Sequence, residues 1–400
     1  MAPPRVIRRL ADAFLAFTAA SAPLSISGME IGMAGLFVLA LAGQGRPWNV
    51  VRRTPIDGAL AAFWGVCALS TIASGHLRAA LPGWLRPLWL QLAYFGVFWW
   101  LRDRDHARRI ALIAVGAGAL VGAYGVLQHF EGVDWYRALL GRAIKVRPRI
   151  AGAEAYAVVG FFANYLTYAN AMIFPLAWAG AFALCGRVMG AVAALLLTAT
   201  VVYSTARGVW IADVAGGAAL AVLAGRRRGL MLIAVGVTAA VAAVVVSPGL
   251  REQAAPIFTL GGVNAGRTAI YRANLEIVHD NPWFGLGFGR YKNAAVPYYD
   301  RHPDADRRTH AHSNVLQLAA EAGLLGLTAF CTLFAVILRR GFVAVRQAAD
   351  PGAWATAAGA WVGIVTFLVA GVTEYNFGDA EVVIGMWLAT AVLMRCTEEA

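Results

Sequence analysis

Apolar residues run through this sequence in long blocks separated by short charged stretches. This is the pattern of helices that cross a bilayer, where a span needs roughly 20 mostly apolar residues and lipid gives the backbone no water to bond. Cut at the charged punctuation, the blocks lie near 10–26, 28–43, 56–74, 85–101, 110–128, 158–184, 187–203, 207–224, 229–247, 314–338, 353–371 and 378–395. They predict an all-α fold, a polytopic transmembrane helical bundle of about twelve spans, with residues 1–400 as a single integral membrane domain. Two intervals, 129–157 and 248–312, are too long to be simple turns. In the second, TAIYRANLEIVHDNP has a helical apolar rhythm from Ile270 through Leu275 to Val278, and Pro282 stops it. WFGLGFGRY follows, with glycines that permit tight turning, aromatics suited to a membrane interface, and Arg290 near its end.

The placement of arginines orients the spans. With the N-terminus inside, Arg46, Arg52 and Arg53, then Arg102, Arg104, Arg108 and Arg109, then Arg226, Arg227 and Arg228, then Arg339, Arg340 and Arg346 all fall in the cytoplasm. Both long intervals then lie on the outer face and are basic, against the usual bias. The first holds Arg137, Arg142, Lys145, Arg147 and Arg149; the second holds Arg251, Arg267, Arg272, Arg290, Lys292, Arg301, Arg307 and Arg308. Two readings stand side by side: long loops cross regardless of charge, or the charge is used. At the N-terminus, Arg5, Arg8 and Arg9 followed by FTAASA imitate a cleaved signal peptide, but in so polytopic a chain the segment is expected to stay as the first span.

Composition narrows the classes. Hydrophobic residues make up 60% and charged residues 14%, far from an ordinary hydrated surface. The net charge of +12 does not point to nucleic acid, because basic residues alternate with spans and form no continuous stripe. Cys67, Cys185, Cys331 and Cys396 lie in or beside spans and outside the long outer intervals, so no disulfide framework is expected.

Few side chains are placed to do chemistry. Arg207, in YSTARGVWIADVAGG, sits at the outer mouth of a span, where a charge is costly unless paired or used. It is either a snorkelling anchor paired with Asp213 or a functional cation. His310 and His312, in THAHSNVLQLAAEAGLLGL, place two of the seven histidines at one membrane boundary on the same side as Arg207. A neutral imidazole can take a proton from an attacking hydroxyl near neutral pH, and Asn314 could hold the ring or a substrate. The D-x-D pairs Asp304/Asp306 and Asp103/Asp105 have the form that holds a divalent ion, but such short matches arise by chance, and no metal site is expected. The sequence contains no P-loop, usable dinucleotide fingerprint, G-x-S-x-G or H-E-x-x-H. Asp12, Glu30, Asp213, Glu321, Glu374, Asp379 and Glu381 lie in or near spans and keep a transporter in play, yet most sit towards span ends and away from the midplane where transporters bind cargo.

Taken together, these residues resemble a family. STARGVWIADVAGG looks like the R-G-x-W element of the O-antigen ligase and polymerase superfamily, and HAHSNVLQLAAEAGLLGL looks like its histidine element. Between them, GRTAIYRANLEIVHDNPWFGLGFGRY is similar to the family segment in which an arginine precedes a helix and a P-x-x-G-x-G turn. The likeness covers about Arg207 to Leu327, and the other spans match in layout only. Ser313 stands where the family commonly has asparagine, so the supporting amide shifts to Asn314.

The resemblance implies a bacterial inner-membrane glycosyltransferase with its site on the periplasmic face. It would take a glycan from undecaprenyl diphosphate and join it to a hydroxyl of lipid A–core lipopolysaccharide. A polymerase extending a second lipid-linked glycan, or a protein O-oligosaccharyltransferase, is the alternative within the family; a lipid-linked glycan transporter or flippase is the alternative outside it. Under this reading Arg207, Arg267 and Arg290 hold the diphosphate, with Arg147 and Arg149 as further candidates. His312 is the base, His310 its neighbour or substitute, and Asn314 and Asp213 give support, with no cofactor and no metal.

Overall fold

The computed structural model describes residues 3–146, 156–246, 265–305 and 310–398. Among these residues the fold is helical, with no strand. The long helices are α1 (Arg5–Ser21), α2 (Ile26–Ala42), α3 (Asp57–Ala73), α4 (Leu77–Trp100), α5 (Arg104–Glu131), α7 (Tyr165–Leu184), α8 (Val188–Ser204), α9 (Arg207–Ala224), α10 (Arg226–Val246), α11 (Ala265–Asp280), α14 (Asn314–Arg346), α15 (Pro351–Thr373) and α16 (Ala380–Thr397). Short helices α6 (Trp135–Leu139), α12 (Tyr291–Ala294) and α13 (Val296–Tyr299) lie between them, and a 3-10 turn spans Asn376–Gly378. A helix stands at each of the positions read as a span, and α11 occupies the segment read as an outer helix ending before Pro282. Among the described residues six helices, α5, α7, α9, α14, α15 and α16, are long and apolar enough to cross a membrane, while α2, α3 and α8 are apolar but shorter.

Local chemistry sets the helix ends. Asp350 caps α15 by accepting from the amides of Gly352 and Ala353, at 2.7 and 3.0 Å, with Pro351 at the first helical position, where its missing N–H costs nothing. Asp103 caps α5 through the His106 amide at 2.7 Å, and Asp105 pairs with Arg108 at 2.8 Å. Both members of that D-x-D pair are thus spent on helix structure.

α7, α15 and α16 form the interior. α16 is buried on every face from Val382 to Cys396, and α15 lines its contacts with Ala355, Ala357, Ala358, Gly359 and Ala360. In lipid the hydrophobic effect gives helices no reason to associate, so small residues that let backbones approach, and bonds between helices, carry the packing. The Trp178 indole on α7 donates to the Thr356 carbonyl on α15 at 3.0 Å across this seam. All four cysteines are free.

The described parts of the two long intervals lie at one end of the bundle. In the first, Arg137 is buried against Asp134 at 3.1 Å and also donates to the carbonyls of Phe161 and Phe162. That arginine holds the loop together and is not presented outward. In the second, the turn between α11 and α12 docks into a break in α14. Gly323 takes φ 71 and ψ −176, interrupting the helix. The backbone groups it releases find partners in the turn: Leu324 N donates to Pro282 O at 2.8 Å, and Leu286 N donates to Ala320 O at 2.9 Å. A Cβ on Gly323 would lie 2.1 Å from Trp283 O, so only glycine allows the approach. Ser70 on α3 closes the junction, donating to Phe284 O at 2.6 Å and Glu321 O at 3.2 Å while accepting from Phe288 N at 3.1 Å.

Candidate active site

Among the described residues only Thr205 and His312 hold a left-handed backbone without being glycine, at φ 69 and φ 51. Each belongs to one of the two motif elements, and such strain persists only where the surroundings over-determine it. Thr205 ends α8 and turns the chain into Arg207, the first residue of α9. Trp210 locks this corner, its indole donating to Val201 O at 3.0 Å. Gly208 brings the corner against the end of α15, since a Cβ there would lie 2.5 Å from Thr373 Oγ1. The R-G-x-W spacing therefore has a physical meaning: tryptophan fixes the turn, glycine allows the approach to Thr373, and arginine heads the helix at that corner.

His312 is 4% exposed and donates through Nδ1 to Glu374 Oε1 at 2.9 Å. Burial alone would raise the Glu374 carboxyl, but the His312 hydrogen bond, followed by the charges of His312, Arg267 and His310, holds it below the ordinary carboxylate value. An ionised carboxylate can only accept, which puts the proton on Nδ1 and leaves Nε2 as the basic nitrogen. Arg267, at the start of α11, grips the other carboxylate oxygen at 3.4 Å and the Thr373 carbonyl at 3.4 Å, and stays 40% exposed. Tyr271, one turn along α11, donates to His312 O at 3.4 Å. His310 stands edge-on to His312 with ring centroids 4.3 Å apart, and its Nδ1 accepts from the His312 amide at 3.4 Å.

Behind the pair, polar groups tie four elements together. Asn314 donates to Asn376 Oδ1 at 2.7 Å and accepts from Phe377 N at 3.1 Å, while Asn376 donates to Asn170 on α7 at 3.1 Å. Asn314 thus supports His312 indirectly, by pinning the turn that carries Glu374, and Ser313 keeps a capping role, accepting from Leu316 N at 3.4 Å. Gln317 accepts from Ala311 N at 2.9 Å and donates to Glu321 at 3.3 Å, and Glu321 accepts from Gly289 N at 2.7 Å. Arg290, the next residue, is connected to the histidines through this chain and donates to Leu286 O at 3.1 Å.

The remaining candidates separate. Among the described residues no ion pair joins Arg207 to Asp213, so the snorkelling pair expected as one explanation does not form. Arg147, Arg149 and Asp306 lie outside the described residues. Donor atoms of His310, His312 and Glu374 converge within 4.8 Å, a set that could in principle hold a metal ion. The 2.9 Å hydrogen bond between two of those donors would have to break to admit an ion, so the set fits a hydrogen-bonded pair better. Sequence reading noted Glu374 only as a charge near a span end and missed Tyr271 and Gln317 altogether. The available signal was an acidic residue in a short connection between spans that holds no basic residue.

Residues 192–331 match the family model described as O-antigen ligase. That stretch holds Arg207, Arg267, Arg290, His310 and His312 but ends before Glu374, and it bears out the resemblance to the O-antigen ligase superfamily. No match was found among curated proteins.

Proposed function

We propose, starting from the O-antigen ligase superfamily character of residues 192–331, that this multi-pass membrane protein is a glycosyltransferase that moves a glycan from undecaprenyl diphosphate to a sugar hydroxyl of lipid A–core lipopolysaccharide at the periplasmic face of the inner membrane. The observation that carries the reading is the meeting of three elements at one end of the bundle: the Arg207 corner against Thr373, Arg267 on Glu374, and Glu374 on His312.

The chemistry follows from the groups present. As the anomeric carbon–oxygen bond breaks, charge builds on the departing diphosphate, and preorganised guanidinium groups stabilise it with a planar fork that lysine lacks. We assign this role to Arg207 and Arg267, with Arg290 the next candidate and then Arg147 and Arg149 from the other long loop. His312 Nε2 takes the proton of the acceptor hydroxyl, whose oxygen attacks opposite the diphosphate and inverts the anomeric centre. Arginines offset the phosphate charge, so the mechanism needs no metal. General-base assistance is worth about 10²–10⁴-fold, and His312→Ala should lose transfer by that order while inserting normally.

The acceptor distinguishes a ligase from its relatives. Purified protein in liposomes, given the lipid-linked glycan with lipid A–core, a second lipid-linked glycan or a serine-containing peptide, should form product with lipid A–core. Extension of the second lipid-linked glycan alone would make it a polymerase, and movement of the donor without any covalent product would make it a carrier.

A further inference from the structure

We propose that Glu374 is the positioning residue of His312: its carboxylate holds the imidazole in the tautomer that leaves Nε2 basic, and Arg267 on its other oxygen links that base to the arginines facing the diphosphate. This rests on the reading of His312 as the base.

Glu374 follows Thr373 at the end of α15, and its side chain is 12% exposed. One oxygen accepts from His312 Nδ1 at 2.9 Å, the other meets Arg267 at 3.4 Å, and the Tyr375 amide donates to the first at 3.3 Å. Its position is fixed by a second set of bonds in which the side chains of Asn170 on α7 and Asn314 on α14 hold Asn376 and Phe377, in the turn that follows Glu374. Among the described residues, the charged or titratable groups around His312 are Glu374 and the adjacent Tyr375 beyond α15, Arg267 and Tyr271 from α11, and His310 on its own loop. Among the described residues Glu374 is the single anion of that set.

The proton accounting is closed. The acceptor O–H gives its proton to Nε2, and its oxygen electron pair forms the bond to the anomeric carbon. The bond from that carbon to the diphosphate oxygen breaks, and its electron pair leaves with the lipid diphosphate. The Nδ1 proton stays in the bond to Glu374, whose negative charge stabilises the imidazolium as it forms. A donor diphosphate competing for Arg267 would loosen its hold on Glu374 and leave more of the carboxylate charge to His312 once the donor is bound.

The test uses the full-length protein in liposomes with the lipid-linked donor and lipid A–core. Glu374→Gln keeps the shape but can present its amide NH₂ to Nδ1 and select the wrong tautomer, so kcat should fall at least about tenfold with donor KM little changed. The acid-side fall of the rate should also move to lower pH, because the charge favouring the imidazolium is gone; a merely structural residue would lower the rate without moving that limb. In a His312→Ala background, adding Glu374→Gln should cost nothing further. A wild-type rate and unmoved limb for Glu374→Gln, or a full additional loss in the double variant, would overturn the role of Glu374 while leaving His312 as base. Undiminished transfer by His312→Ala alone would instead remove the base on which the proposal rests. Should the glutamine variant not insert, Glu374→Asp carries the test: a fall in kcat at constant donor KM supports positioning, and wild-type kcat overturns it.

Discussion

Arg207 and a lysine in its place would carry equal charge, yet only the guanidinium offers a rigid pair of N–H groups to two phosphate oxygens. Arg207→Lys is therefore expected to lower kcat/KM for the lipid-linked donor by at least about tenfold, roughly one good charge-assisted hydrogen bond, with the amount of inserted protein unchanged. Initial rates against donor concentration check this, and a wild-type value would show that charge alone suffices. Both Arg207 and His312 were legible in the sequence, because each lies inside a short string whose neighbours, Gly208 and Trp210 in one case and Gln317 in the other, have structural duties at fixed spacing. Glu374 was not legible, since its partner His312 is 62 residues away and only the packing of α14 on α15 brings them together. Arg137 reads the same as Arg267 in a charge count. Its burial on Asp134 depends on a fold the count does not contain.

Helix positions follow from apolar runs, and so does the end of α11 before Pro282, because length and periodicity are local properties. The break in α14 is not local. Apart from Glu321, apolar and small residues continue through AAEAGLLGL, and Gly323 leaves the helix where the turn at 282–286 supplies partners for the released backbone groups. Gly323→Ala must place a side chain at φ 71 and against Trp283 O, so it should cost about 1–3 kcal/mol and lower the thermal unfolding midpoint in detergent. Gly141→Ala is the control: it shares a positive φ of 61 but meets nothing within 4 Å, and it should shift the midpoint less. Equal shifts for the two would mean that the docked turn contributes nothing to stability.

At the scale of the molecule, a central trio of helices buried by small residues holds fixed the ends of α7, α14 and α15, and the site is built on those ends. The basic residues have distinct uses: Arg137 of the first long interval is structural, Arg267 of the second is bound to Glu374 yet still exposed, and Arg207, outside both, heads a helix whose next residue, Gly208, meets Thr373. A count of about twelve spans was read from apolar blocks alone. Length and composition of the described helices single out six as able to cross by themselves, and shorter helices such as α3 and α8 pack against these. The most direct measurement is a single-turnover assay in liposomes, with lipid-linked glycan and lipid A–core supplied and glycosylated lipid A–core read by mass. Wild-type protein is predicted to form that covalent product, and His312→Ala to form it about 10²–10⁴-fold more slowly with donor still bound. Product formed at equal rates by the two proteins, or no product from the wild type while donor crosses the bilayer, would contradict the account.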